Sequence, residues 1–102
     1  MAYPNIQRVN QGNANSVAFL ANGATSTSGT VPVTCVNAAR LIATANCYVS
    51  FTANASTVNA SNGTLIPTSQ AGGELFRVAI GEVINVSAAS GAAGILNISW
   101  LT

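Results

Sequence analysis

The chain has 102 residues and a mass of 10.2 kDa, room for one small domain, and only 5% of it is charged. With Arg8, Arg40 and Arg77 as its only basic residues and a formal net charge of +1, it lacks the cluster of cations that neutralises nucleic-acid phosphates, so no nucleic-acid partner is expected. A hydrophobic content of 49% argues against disorder, and no apolar run approaches the roughly 18 residues of a membrane span, so no membrane partner is expected either.

Taken in chain order, the first thirty residues are polar and rich in Asn, Gln, Gly and Ser, broken by Ser16 to Leu20, where Val17 and Phe19 alternate with smaller neighbours. They read as an extended N-terminal arm with one short strand, and Ala24 to Gly29 reads as a loop. In the run TVPVTCV, Val31, Val33 and Cys35 share a face at period two. Pro32 cannot donate a ladder hydrogen bond, which places this run at a sheet edge or a strand start. Arg40 to Ala45 (RLIATA) is the next strand, although Val36 to Ala45 also carries good helix formers; it has no capping box and is short, so strand is preferred. Cys47 to Thr52 (CYVSFT) follows after a tight turn at Ala45-Asn46.

Asn54 to Gly63 is a loop carrying the hairpin signal Asn62-Gly63, after which Leu65-Ile66-Pro67 forms a short strand and Gly72-Gly73 a turn. Glu74 to Ile80 and Glu82 to Ala88 flank Gly81 and read as a hairpin. In the closing run ILNISWL, Leu96, Ile98 and Trp100 face one way and Asn97 and Ser99 the other, the alternation of a half-buried antiparallel strand. Short β-rich runs between turn signals predict an all-β sandwich or barrel, with an arm over 1–29 and the β-domain over 30–102. No fixed repeat period is present, which argues against a β-solenoid with flat Thr arrays.

The surface of such a domain is the main puzzle. Monomers stay soluble by carrying net charge and by placing charges on exposed strand edges, and this chain has little of either. Ala, Asn, Ser and Thr supply 50 of its residues, so a monomer solvated by neutral polar groups is the alternative to a surface covered by assembly. Assembly is the preferred reading. The start of the sequence lacks the basic and apolar regions of a secretory signal, which leads to the expectation of cytoplasmic synthesis.

The permitted chemistry is narrow. Without His, Asp or Lys the usual general bases, metal ligands and Schiff-base donors are missing, leaving Glu74, Glu82, Cys35, Cys47, Tyr3 and Tyr48. Glu74 with Glu82 is the one conceivable carboxylate pair, but both sit at strand ends beside turns, the usual place of a solvated Glu. A Cys nucleophile needs a base that the chain does not carry. No catalytic site, cofactor or metal is therefore expected. The two cysteines read as buried thiols, with a disulfide as the alternative in an oxidising compartment. Five N-x-S/T triplets, at Asn54, Asn59, Asn62, Asn85 and Asn97, read as a consequence of composition. Trp100 reads as a core residue rather than a sugar-stacking platform. Arg40 and Arg77 interrupt apolar strands and read as partners in interface hydrogen bonds or in ion pairs with Glu82 or Glu74.

The series RLIATANCYVSFTANASTVNASNGTLIP followed by ELFRVAIGEVINVSAASGAAGILNISWL resembles small virion proteins of tailed bacteriophages, of the head decoration (cement) type. The elements that carry the resemblance are Arg40 to Ala43, Cys47 to Phe51, Ala53 to Asn62, Leu65 to Pro67, Glu74 to Val78, Gly81, and Ile95 to Trp100. It covers roughly residues 30 to 102. The resemblance implies a compact antiparallel β-sandwich or jelly roll, bound as a homo-oligomer, often a trimer, to the major capsid protein on the outer surface of the head. It implies no catalytic residues. Two other readings stand beside it: a tail, fibre or head-to-tail component, and a module that binds host-surface carbohydrate through Trp100 or Tyr48.

Overall fold

A computed structural model describes residues 14–32, 38–68 and 73–101. Eight strands follow in chain order: β1 (Ala14–Phe19), β2 (Ser26–Thr27), β3 (Ala38–Ala43), β4 (Cys47–Thr52), β5 (Thr64–Ile66), β6 (Glu74–Arg77), β7 (Val83–Ala88) and β8 (Gly94–Trp100). There is no helix among the described residues, so Ala38–Ala43 takes the strand option.

The strands form two antiparallel four-stranded sheets, the first in the order β1-β8-β3-β6 and the second in the order β2-β7-β4-β5. This arrangement has a simple origin. β4 pairs with β5, β3 with β6, β2 with β7 and β1 with β8, as in one long hairpin centred on the loop 53–63. Successive pairs fall alternately in the two sheets, and the β3·β8 and β4·β7 ladders join them. A long hairpin rolled up in this way is an eight-stranded jelly roll.

Rolling explains where local reading of the sequence goes astray. Every connection except β4–β5 changes sheet, so the turn at Ala45-Asn46 is a corner between sheets. Likewise β6 and β7 do not pair as a hairpin. β7 has β4 on one side and β2 on the other, while β6 pairs with β3. Gly81 does take the left-handed conformation, at φ +90°, but it serves a corner. There its N–H donates to the Val31 carbonyl at 3.1 Å, and the Val31 N–H donates to the Glu82 carbonyl at 2.8 Å.

The first thirty residues supply two strands where the sequence suggested one. β1 lies along the whole of β8, with Val17 and Phe19 in the core, and Ser26–Thr27 within the expected loop pairs with Val86 and Asn85. Residues 1–13 lie outside the described residues. So does most of the expected strand over 30–36; its described part, Thr30–Pro32, carries no strand assignment, although Val31 is buried.

The core fills the space between the sheets. Phe19, Leu41, Leu96 and Ile98 from the first sheet meet Cys47, Val49, Ile66, Ile84 and Val86 from the second. Trp100 is 3% exposed and belongs to this cluster. Phe51 and Phe76 close one side of it across the sheets, with ring centroids 5.4 Å apart at 41°. Each buried large aliphatic or aromatic side chain contributes about 1.5–3 kcal/mol, far more than an exposed ion pair at about 0–1 kcal/mol, so a chain with five charged groups loses little stability for want of ion pairs.

Candidate functional site

Among the described residues, those with chemical capacity are not brought together. Glu74 opens β6 and stands opposite Leu41, whereas Glu82 lies beyond the other end of that strand and past the Gly81 corner. The Glu82 carboxylate accepts a hydrogen bond from the Ala79 N–H at 2.8 Å, which ties it to its own turn. Cys47 is a free, fully buried thiol, and burial pushes its pKa up from 9.0 to about 11. That is the direction of an inert thiol. Tyr48 is half-buried on the outer side of the second sheet. Tyr3, Arg8 and Cys35 lie outside the described residues. No group of three or more His, Cys, Asp or Glu able to hold a metal occurs among the described residues.

The ion pairs suggested by the sequence do not form among the described residues. Arg40 stands opposite Leu75 and Ala38 opposite Arg77, so both guanidinium groups lie on the outer side of the first sheet. Glu74, next to Leu75 on the same strand, points to the other side of that sheet.

The two outer faces differ sharply. On the second sheet, the loop 53–63 folds back over β4 and β7, burying the outer side of β7 and leaving that of β4 half-buried. Val58 is buried there; its N–H donates to the Thr25 hydroxyl oxygen at 3.1 Å, and its carbonyl accepts from the Ser87 hydroxyl at 2.9 Å. Asn85, read from the sequence only as part of a triplet, is the centre of this contact. Its Oδ1 accepts from the Thr27 hydroxyl at 3.0 Å and the Ser56 N–H at 3.1 Å, and its Nδ2 donates to Ser50 Oγ at 3.1 Å and Thr52 Oγ1 at 2.8 Å. All four hydrogen-bonding positions of the amide are filled, as a fully buried amide requires. The sequence signal that points to it is weak: a lone Asn in an otherwise apolar run, EVINVSA.

On the first sheet nothing among the described residues covers the outer face. Ile42, Leu75 and Ile95 are exposed there by 43%, 57% and 46%. The ladder registers place them on a diagonal. Ile42 stands opposite Asn97 and Leu75 opposite Arg40, so the stripe crosses β6, β3 and β8 in turn, and Ile95 ends it opposite Ala18 of β1. Gly73, at φ +76°, makes room for it: a Cβ there would lie 2.4 Å from Cγ1 of Ile42. Asn97 and Ser16 lie beside the stripe, joined by a long hydrogen bond of 3.5 Å, and Arg40 and Arg77 flank its β6 end.

Two open depressions are also present. One of about 520 Å³ is formed by Arg77, Val78, Ala79, Ile80 and Glu82 at the corner between the sheets. The other, about 240 Å³, is lined by Thr25, Thr27, Ala55, Ser56 and Thr57 beside the Asn85 network. Neither combines a nucleophile with a base. Trp100 reaches neither, and no aromatic ring is fully exposed among the described residues. Among the described residues no helix is long and apolar enough to cross a membrane. Comparison with family models, with curated proteins and with solved structures finds no match to the chain.

Proposed function

We propose that this chain is a structural protein of a bacteriophage virion, a decoration or cement protein that binds the major capsid protein on the outer head surface as a homo-oligomer and braces the shell. The observation that carries the reading is a jelly roll in which, among the described residues, one whole sheet face is left open with an aliphatic stripe across it, in a chain with five charged side chains. Exposed apolar stripes rimmed by polar groups mark interaction surfaces, and a protein present in many copies works by shape and apolar contact. Jelly rolls recur in viral capsid proteins and in lectins, so the fold supports the reading by analogy and the surface carries it. The sequence resemblance over residues 30 to 102 points the same way.

The test is co-sedimentation of the purified protein with capsid shells from the phage that encodes it. Saturable binding at a fixed ratio to the capsid subunit, by a protein that sediments as an oligomer when free, is the expected result. Failure to bind shells, with binding to isolated tails instead, would transfer the protein to another part of the virion.

A further inference from the structure

We infer that the open face of the first sheet is the docking face, and that its occupant is a protein surface whose aliphatic residues are flanked by carboxylates. The inference rests on the reading of the chain as a decoration protein, which makes that surface the exterior of the shell.

Three observations lead to it. On the second sheet the outer side of β7 is taken, because the loop 53–63 is anchored over it through Asn85, Ser87 and Thr25, and Leu65 of β5 is the one large aliphatic side chain exposed on that face among the described residues. The first sheet presents Leu75, Ile42 and Ile95 as one diagonal stripe. The distribution of charge then selects the partner. Both described arginines, Arg40 and Arg77, lie on this face, about 7–8 Å apart as diagonal neighbours across the β3·β6 ladder. The glutamates are not on the stripe: Glu74 is turned to the other side of the sheet, and Glu82, which shares the corner depression with Arg77, accepts from the Ala79 N–H and forms no ion pair with it. Neither guanidinium is paired among the described residues.

A second copy seated face to face would supply the same aliphatic stripe but no carboxylate, and would bring like charges into a desolvated contact. A surface carrying Asp or Glu around an apolar patch satisfies both halves of the face. Arginine suits this role because its planar fork binds a carboxylate through two parallel hydrogen bonds. Homo-oligomer contacts are then made through other parts of the molecule.

The experiment measures binding to bare shells by co-sedimentation for the wild type and for Arg40→Glu, Arg77→Glu, Leu75→Ser and Ile42→Lys, with Leu65→Ser on the second sheet as a control and circular dichroism to verify folding. Each first-sheet variant is expected to weaken binding by about tenfold or more, the control to bind as wild type, and added salt to weaken the wild type more than Arg40→Glu. Saturable wild-type binding that all four variants retain overturns the docking face and leaves the decoration function standing. Loss of the free oligomer in these variants overturns the inference in favour of a second copy as the occupant. No binding by the wild type overturns the proposed function and this inference together.

Discussion

The backbone N–H of Ser56 donates to Oδ1 of Asn85 at 3.1 Å, joining the middle of the loop 53–63 to the central strand β7. Twenty-nine residues separate the two in the chain. This contact makes β7 a strand buried on both faces: Ile84 and Val86 meet the core between the sheets, and Asn85 and Ser87 lie under the loop.

Replacing Asn85 by Ala removes the acceptor for Ser56 N–H and Thr27 Oγ1 and the donor for Ser50 and Thr52 at one stroke. Orphaned buried polar groups cost about 1–3 kcal/mol. A destabilisation of about 2–3 kcal/mol is therefore expected in urea denaturation, together with faster proteolysis within residues 53–63. An unchanged midpoint would show that the loop does not depend on this amide.

Cys47 provides a pH test. Its thiol is held at about 11 by burial, above its ordinary 9.0, so the folded protein keeps a proton that the unfolded chain gives up. The contribution to stability is complete below pH 9.0 and is lost as pH rises toward 11. Its size is about 2–3 kcal/mol. Wild-type stability should fall across that window by more than that of Cys47→Ala, and a thiol reagent should modify Cys47 only after unfolding. Equal slopes in the two proteins would contradict the assigned burial.

Glycines 63 and 81 should respond differently to alanine. At Gly63 the backbone is not left-handed, but a Cβ would lie 2.7 Å from Val58 Cγ2 and 2.9 Å from both the Asn59 carbonyl oxygen and Tyr48 Cβ. At Gly81 there is open space and only the φ of +90° to oppose a side chain. Gly63→Ala should lift the loop and cost about 1–3 kcal/mol by overpacking. Gly81→Ala should cost about 1–2 kcal/mol through backbone strain alone. A Gly81→Asn variant should recover part of that loss, whereas Gly63→Asn should not, as thermal melts will show.

The contrast between these glycines bears on what the sequence revealed. Local alternation located the strands Cys47–Thr52 and Gly94–Trp100 almost residue for residue and put Trp100 in the core, because each reading depends on a strand's own period of two. It failed at partners. Gly81 looked like the centre of a hairpin, since a left-handed glycine between two β-runs is the same local signal whether the chain returns to its own sheet or crosses to the other. β2 escaped notice because Ser26 and Thr27 have no apolar pattern; they are strand residues only because β7 lies beside them. Asn85 was equally illegible, since its burial depends on a loop far away in the chain. The aliphatic diagonal of Leu75, Ile42 and Ile95 exists only once two registers, β3·β6 and β3·β8, are set.

The proposed seat of the protein is the outside of a phage head, with the first sheet turned toward the shell. The most direct measurement is an electron-microscopy map of shells saturated with the protein, compared with bare shells. Added density outside the shell, in a fixed number of copies per capsomer and with β3, β8 and β6 nearest the capsid surface, is the predicted result. No added density on the head, or density confined to the tail, would contradict it.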